Sequence, residues 1–130
     1  MNHEKEIEIR WRDLDAFEHV NHVVFLTYLE EVRDEWLGRS LGDPDLVWGY
    51  VVARVEIDYR RELTLADDVV VATCALDRIG TKSVTTTESV RTRSGEVAAE
   101  AKAVLVARDR DSGRSRPLTA AERAAFERAV

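Results

Sequence analysis

One cysteine, Cys74, is all that 130 residues offer, so an internal disulfide and a zinc site built from several thiols are both excluded. A lone thiol suits a reducing compartment, and a cytoplasmic location is expected. Two prolines and six glycines, clustered nowhere, leave no linker, repeat or low-complexity tract. Basic charge is also in short supply. Nineteen Lys and Arg against twenty-five Asp and Glu give a net charge of −6, without the basic face that phosphate neutralisation demands, so no nucleic-acid partner is expected. No apolar run reaches the roughly 18 to 20 residues of a membrane span. Residues 1–8 carry charge where a secretory signal would have an apolar centre, so no membrane partner is expected either. What is present, 45% apolar and 34% charged residues, is enough for one domain with its own core over residues 1–130.

Hydrophobic periodicity orders that domain. Ile7, Ile9 and Trp11 alternate with Glu8, Arg10 and Arg12, the period-2 mark of a half-buried strand. After a polar stretch the period lengthens. Val20, Val24, Tyr28, Val32 and Trp36 recur every four residues, with Phe25, Leu29 and Leu37 beside them, which predicts a helix over 21–37. Asn21 is placed to cap its start and Gly38 to stop it. Its first half, residues 20–29, is apolar nearly all round and is expected deep in the fold. Glu30, Glu31 and Arg33 read as a solvated or subunit-facing side. A turn at Gly42-Asp43-Pro44-Asp45 leads into four strand-like segments: about 48–60 (Val51, Ala53, Val55, Ile57 and Tyr59 on one parity), from 69, 83–93 and 97–107. The last is rich in alanine (Ala98, Ala99, Ala101, Ala103), which invites a bulky element close against it, the helix being the obvious one. Trp11, Trp36 and Trp48 are expected in the core or lining a pocket, and Cys74 as core filler. Thr119 and Glu122 form a capping-box pattern opening a short C-terminal helix. Strand, long helix, then four strands at hairpin spacing predict an α+β fold: an antiparallel five-stranded sheet wrapped around one long central helix, plus a short C-terminal helix.

Polar residues concentrate at the mouth of the long helix: Asp13, Asp15, Glu18, His19, Asn21 and His22. A helix start offers unpaired N–H groups and about half a positive charge, a cradle for an oxyanion. A carboxylate a few residues upstream can attack a carbonyl beside that cradle, or activate water there. The same residues equally suit a structural role, with Asp13 and Asp15 shaping a turn and Asn21 capping. His19 and His22, three apart near two aspartates, lack a third metal ligand, and no metal is expected.

The segment from Arg12 to His22, with Phe25-Leu26-Thr27-Tyr28-Leu29-Glu30-Glu31-Val32-Arg33, resembles the signature of hotdog-fold thioesterases of the 4-hydroxybenzoyl-CoA thioesterase-like group, roughly D-x-D-x-x-G-H-V-N-N followed by Y-L-x-Y-x-E-x-A-R. Similarity continues through Val51 to Tyr59, Leu65-Ala66-Asp67-Asp68, Arg78 to Ser83 and Gly95 to Ala101, and spans about residues 5 to 118. The resemblance implies the hotdog fold and hydrolysis of an acyl-CoA thioester, with no cofactor beyond the coenzyme A that belongs to the substrate. Asp15 matches the family's catalytic carboxylate, as nucleophile or general base. The backbone N–H of His22 is the implied oxyanion donor, Asn21 holds the loop against the helix start, and His19 joins them as a catalytic candidate. Glu31 is a reserve carboxylate, since some hotdog branches draw theirs from the helix.

For the coenzyme A, the candidates are Tyr59, Arg60 and Arg61 at the end of the second strand and the loop Gly80-Thr81-Lys82-Ser83, with Arg78 and Arg91 as further cations. The resemblance also implies a homodimer or homotetramer with sites at the subunit interface, completed by residues 55 to 65 of a second chain; a lone five-stranded sheet leaves edges to pair. Three positions depart from the pattern. Glu18 stands for its glycine, His22 for its second asparagine, and Glu62 for a proline. The first two motivate a second reading, an acyl-thioester-binding protein without turnover. A third is hydrolysis of acyl-carrier-protein thioesters.

Overall fold

The N-terminal alternation folds as strand β1 (Asn2–Glu8), in a computed structural model that describes residues 2–128. The central helix α1 (His22–Leu41) follows, then β2 (Tyr50–Tyr59), β3 (Val69–Ile79), β4 (Ser83–Thr92), β5 (Val97–Ala107) and helix α2 (Ala120–Arg128). The strands form one antiparallel sheet in the order β1-β3-β4-β5-β2. The expected α+β arrangement, a five-stranded sheet with one long helix against it, is therefore present. β1 and β2 are its edges. The strand pattern runs out earlier than Ile9 and Trp11 suggest: Ile9 is buried just past the strand, whereas Trp11 opens a short 3-10 turn and is 80% exposed.

Six large side chains of α1, Phe25, Tyr28, Leu29, Val32, Trp36 and Leu37, are buried at three- and four-residue spacing. Each contributes about 1.5–3 kcal/mol of transfer free energy. The first three join Val70, Val90, Ala98, Ala99 and Ala101; the rest join Ala72, Cys74, Val84, Leu105, Ala107 and Phe126. The small side chains of β5 thus lie under the bulky ones of the helix. The all-round burial expected of residues 20–29 is not reached, because Val23 and Leu26 face outward. Nor does the helix stop at Gly38. It runs on to Leu41 and ends where Gly42 turns left-handed at φ 78°. Gly38 faces the 3-10 turn Pro44–Gly49, where a Cβ would sit in van der Waals contact, 3.4 Å from the Cα of Pro44. That turn holds Trp48 at 64% exposure; of the three tryptophans only Trp36 is in the core, stacked on Phe126 at 5.9 Å.

Arg33 also departs from the solvated side expected of it. Its guanidinium reaches the inner face of β4 and donates twice to the Glu88 carboxylate, at 2.8 Å each, with both residues buried. Thr86 donates to the same carboxylate at 2.6 Å. A buried charge without a partner is very costly, so the helix and sheet are held in one register by this pair. In β2 a bulge between Val52 and Arg54 shifts the parity: Tyr50 is buried before it, and Val55 and Ile57 are half-buried after it. The capping box of α2 forms as expected, with the Thr119 N–H donating to Glu122 at 2.8 Å and the Glu122 N–H to Thr119 Oγ1 at 3.1 Å.

Candidate active site

Residues 13–20 close on themselves through main-chain bonds. Leu14 and Val20 form an antiparallel bridge, the Asp15 N–H donates to the His19 carbonyl at 2.8 Å, and the Glu18 N–H donates to the Asp15 carbonyl at 3.0 Å. Asp15 Oδ1 accepts from the Phe17 amide at 2.9 Å and from the His19 amide at 3.4 Å, an Asx-type turn that orients the carboxylate. Glu18 occupies the left-handed region at φ 63°, which is the conformational reason the resembling pattern carries glycine there.

Asp13 fastens this turn to the helix. Buried, it accepts from the Tyr28 hydroxyl at 2.8 Å and the Arg10 amide at 3.0 Å, while its carbonyl accepts from the Asn21 amide at 2.9 Å. Burial, and then the hydrogen bond to this carboxylate, push the Tyr28 hydroxyl well above the usual phenol range. Val20 donates to the Leu63 carbonyl at 2.7 Å, which ties the turn to the segment after β2.

Asn21 caps the helix twice, its side chain accepting from the Val23 amide at 2.9 Å and its carbonyl from the Val24 amide at 2.8 Å. The His22 amide is left without an acceptor among the described residues. Tyr59, from the end of β2, donates its hydroxyl to the His22 carbonyl at 2.7 Å and sets its ring edge-on to Phe25 at 5.1 Å. Partial burial raises the Tyr59 hydroxyl pKa.

These elements enclose a cavity of about 350 Å³ lined by Asp15, His19, Val20, His22, Phe25, Tyr59, Arg60, Arg61 and Glu62. Six of the site candidates drawn from the sequence meet there. Val20, Phe25 and Glu62 were not among those candidates: Phe25 lies one turn beyond His22 on the same helix face, and Glu62 sits 3.2 Å from His19 Nε2 across the mouth. The two arginines differ. Arg61 is held by Asp67 at 3.2 Å and Glu96 at 2.9 Å, whereas Arg60 meets only the exposed Glu100, at 3.3 Å, and Asp58, at 3.8 Å. The Gly80–Ser83 loop is elsewhere. Tyr59 pairs with Ala99 at one end of the sheet, whereas Ser83 pairs with Val106 and Tyr50 with Ala107 near the other. Within one chain, then, Lys82 and its neighbours do not reach Asp15. Among the described residues no three His, Cys, Asp or Glu side chains gather as a metal site, and no helix is long and apolar enough to cross a membrane.

A profile described as the thioesterase-like superfamily matches residues 9–126. Over 111 residues the chain is 31% identical to the long-chain acyl-CoA thioesterase FadM of Escherichia coli strain K12, a match that covers 80% of this chain and 81% of that protein. A thioesterase from Thermus thermophilus, solved in complex with coenzyme A and Zn, superimposes with a TM-score of 0.88 at 34% identity, covering 98% of this chain and 92% of that one. A protein described as a predicted thioesterase from Bacillus stearothermophilus superimposes with a TM-score of 0.90 at 27% identity, covering 100% and 97%.

Proposed function

The chain belongs to the thioesterase-like superfamily, and from that premise we propose that it hydrolyses the thioester of a fatty or aromatic acyl-CoA at the cavity between Asp15 and the start of α1. The observation that carries the reading is the shared cavity wall: Asp15 and His22, the residue whose helix-start amide has no acceptor among the described residues, border one space. With the thioester carbonyl oxygen turned toward that amide, the negative charge of the tetrahedral intermediate meets a donor already in place. One such donor is worth about 2.7–4 kcal/mol of transition-state stabilisation.

Asp15 then serves in one of two ways. As nucleophile, its oxygen bonds the acyl carbon, the C–S bond breaks, coenzyme A leaves as thiolate, and water cleaves the resulting anhydride to regenerate the carboxylate. As general base, it takes the proton of a water that attacks directly. A single turnover in ¹⁸O-water that labels the Asp15 carboxylate identifies the nucleophilic route with the anhydride opened at the Asp15 carbon, since neither the general-base route nor water attack on the acyl carbon places label there. Asn21 and Asp13 hold the turn and helix in register, and His19, paired with Glu62, borders the thioester.

The coenzyme A needs cations for its phosphates, and we assign Arg60 of the same chain and the Gly80–Ser83 loop of a second chain. β2 is an edge strand with Val51, Val52 and Tyr59 exposed. Two β2 strands paired antiparallel about a twofold axis would set Tyr59 of one chain beside Tyr50 of the other. Val51 and Ser83 both lie opposite Val106, so that pairing also brings the second chain's loop near the cavity. We propose that the assembly is a homodimer, or a homotetramer of two such pairs, that acts in the cytoplasm without a prosthetic group. Purified protein should release free thiol from acyl-CoA esters, and Asp15→Asn should abolish release while leaving the fold unchanged by circular dichroism. Saturable binding with no thiol release across aliphatic and aromatic esters would leave a thioester-binding protein instead, and faster turnover of acyl-carrier-protein esters would reassign the substrate.

A further inference from the structure

Asp15 and His19 wall two cavities, not one. On the far side of their turn from α1 lies a second, of about 810 Å³, bordered by Trp11, Leu14, Phe17 and Leu65 as well as by Asp15 and His19, with Arg12, Glu18 and Thr64 as the rest of its polar lining. Its character differs from that of the first. The helix-side cavity carries Arg60, Arg61 and Glu62 at its edge over Val20, Phe25 and Tyr59, whereas this one, although Arg12 and Glu18 also line it, presents two aromatic rings, Trp11 and Phe17, each 80% exposed, with Leu65 beside them. Neither ring is needed for the core. Both stand on the tight turns that also carry Asp13 and Asp15, and turns with main-chain closure do not require an aromatic at these positions. An apolar surface left open beside a reactive carboxylate marks a binding site for an apolar group.

Resting on the hydrolytic reading above, we propose that the acyl chain of the substrate lies across Trp11, Phe17 and Leu65, so that the thioester straddles Asp15 with its coenzyme A arm on the cationic side and its hydrocarbon on the aromatic side. Two arms diverge from the thioester carbon, one polyanionic and one apolar; of the two cavities that share Asp15, one offers Arg60 to the first and the other offers Trp11, Phe17 and Leu65 to the second. The class selected is a long unbranched or aromatic acyl group, because a short one would leave both rings in water.

The test uses a ladder of non-hydrolysable S-alkyl-CoA thioethers, from butyl to dodecyl, titrated calorimetrically into the full chain below their micelle concentrations. Binding to the wild-type protein should tighten by about threefold to fourfold for each methylene that reaches the patch. Trp11→Gln with Phe17→Ser should flatten that ladder, reducing the dodecyl-to-butyl affinity ratio by about tenfold or more. Leu65→Thr, at a third exposed position, should do so to a lesser degree. An unchanged ratio in both variants would overturn the proposal. So would an unchanged ratio together with a smaller particle by size-exclusion chromatography, which would make the patch a contact between copies. The two readings fail separately. A steep ladder that Trp11→Gln with Phe17→Ser flattens, in a protein that releases no thiol from any acyl-CoA, keeps the subsite and removes the hydrolysis. Thiol release with a flat wild-type ladder does the reverse.

Discussion

The Tyr28 hydroxyl donates to the buried Asp13 carboxylate at 2.8 Å, so the second turn of the central helix grips the strand-to-helix turn two residues before Asp15. Replacing Tyr28 with Phe leaves that charge with only the Arg10 amide at 3.0 Å and the Arg10 guanidinium at 3.5 Å. The expected cost is about 1.5–3 kcal/mol, read from the urea midpoint. The turn's looser hold on Asp15 should lower kcat more than it raises KM, which steady-state kinetics on one acyl-CoA would check.

Glu18 is a non-glycine residue at φ 63°. Its substitution by glycine should stabilise the chain by up to about 1 kcal/mol, because the left-handed conformation carries no Cβ penalty in glycine. Thermal melts of the two proteins, compared at one pH, measure this; an equal or lower Tm for Glu18→Gly would mean that the turn is held without strain.

Arg33 and Glu88 should behave as a unit. Arg33→Met or Glu88→Leu alone leaves one buried charge unpaired and should cost about 3–5 kcal/mol. Arg33→Met with Glu88→Leu removes both charges and should recover most of that loss, so the double-mutant cycle gives a large coupling term.

Acid should weaken the C-terminal helix first. Burial alone would raise the Glu122 carboxyl, but hydrogen bonds from Arg116, the Thr119 amide and Tyr50 outweigh it and hold the pKa at about 2, against an ordinary 4.5. A carboxyl depressed on folding stabilises fully above its unfolded pKa and loses that contribution as the pH falls through the window from about 4.5 to about 2. The loss is on the order of 3 kcal/mol. Glu122→Gln should be less stable at neutral pH and show a flatter fall across the window, followed by denaturant melts at several pH values.

Local chemistry was legible in the sequence, and long-range chemistry was not. Asn21 caps, and Thr119 pairs with Glu122, because both ends of those interactions lie within three residues. Gly38 misled because a second glycine stands one turn on, and it is Gly42 that takes the left-handed cap. Arg33 reads as solvated since its partner Glu88 lies 55 residues onward, on the third strand after the helix. Parity along β2 fails at the bulge after Val52, which depends on how β5 pairs with it. At the site, Asp15, His19 and His22 come from one motif and were found together. Glu62 reaches them only through the return of the chain after β2.

The turn that presents Asp15 is closed by backbone bonds between positions 14, 15, 18, 19 and 20, none of which uses the side chain of 16 or 17, whereas position 18 is bound to its left-handed backbone. Positions 16 and 17, proline apart, can therefore be randomised as a library while the reactive group stays where it is. Enzyme engineers would have a short cassette in which substrate choice is rewritten independently of chemistry.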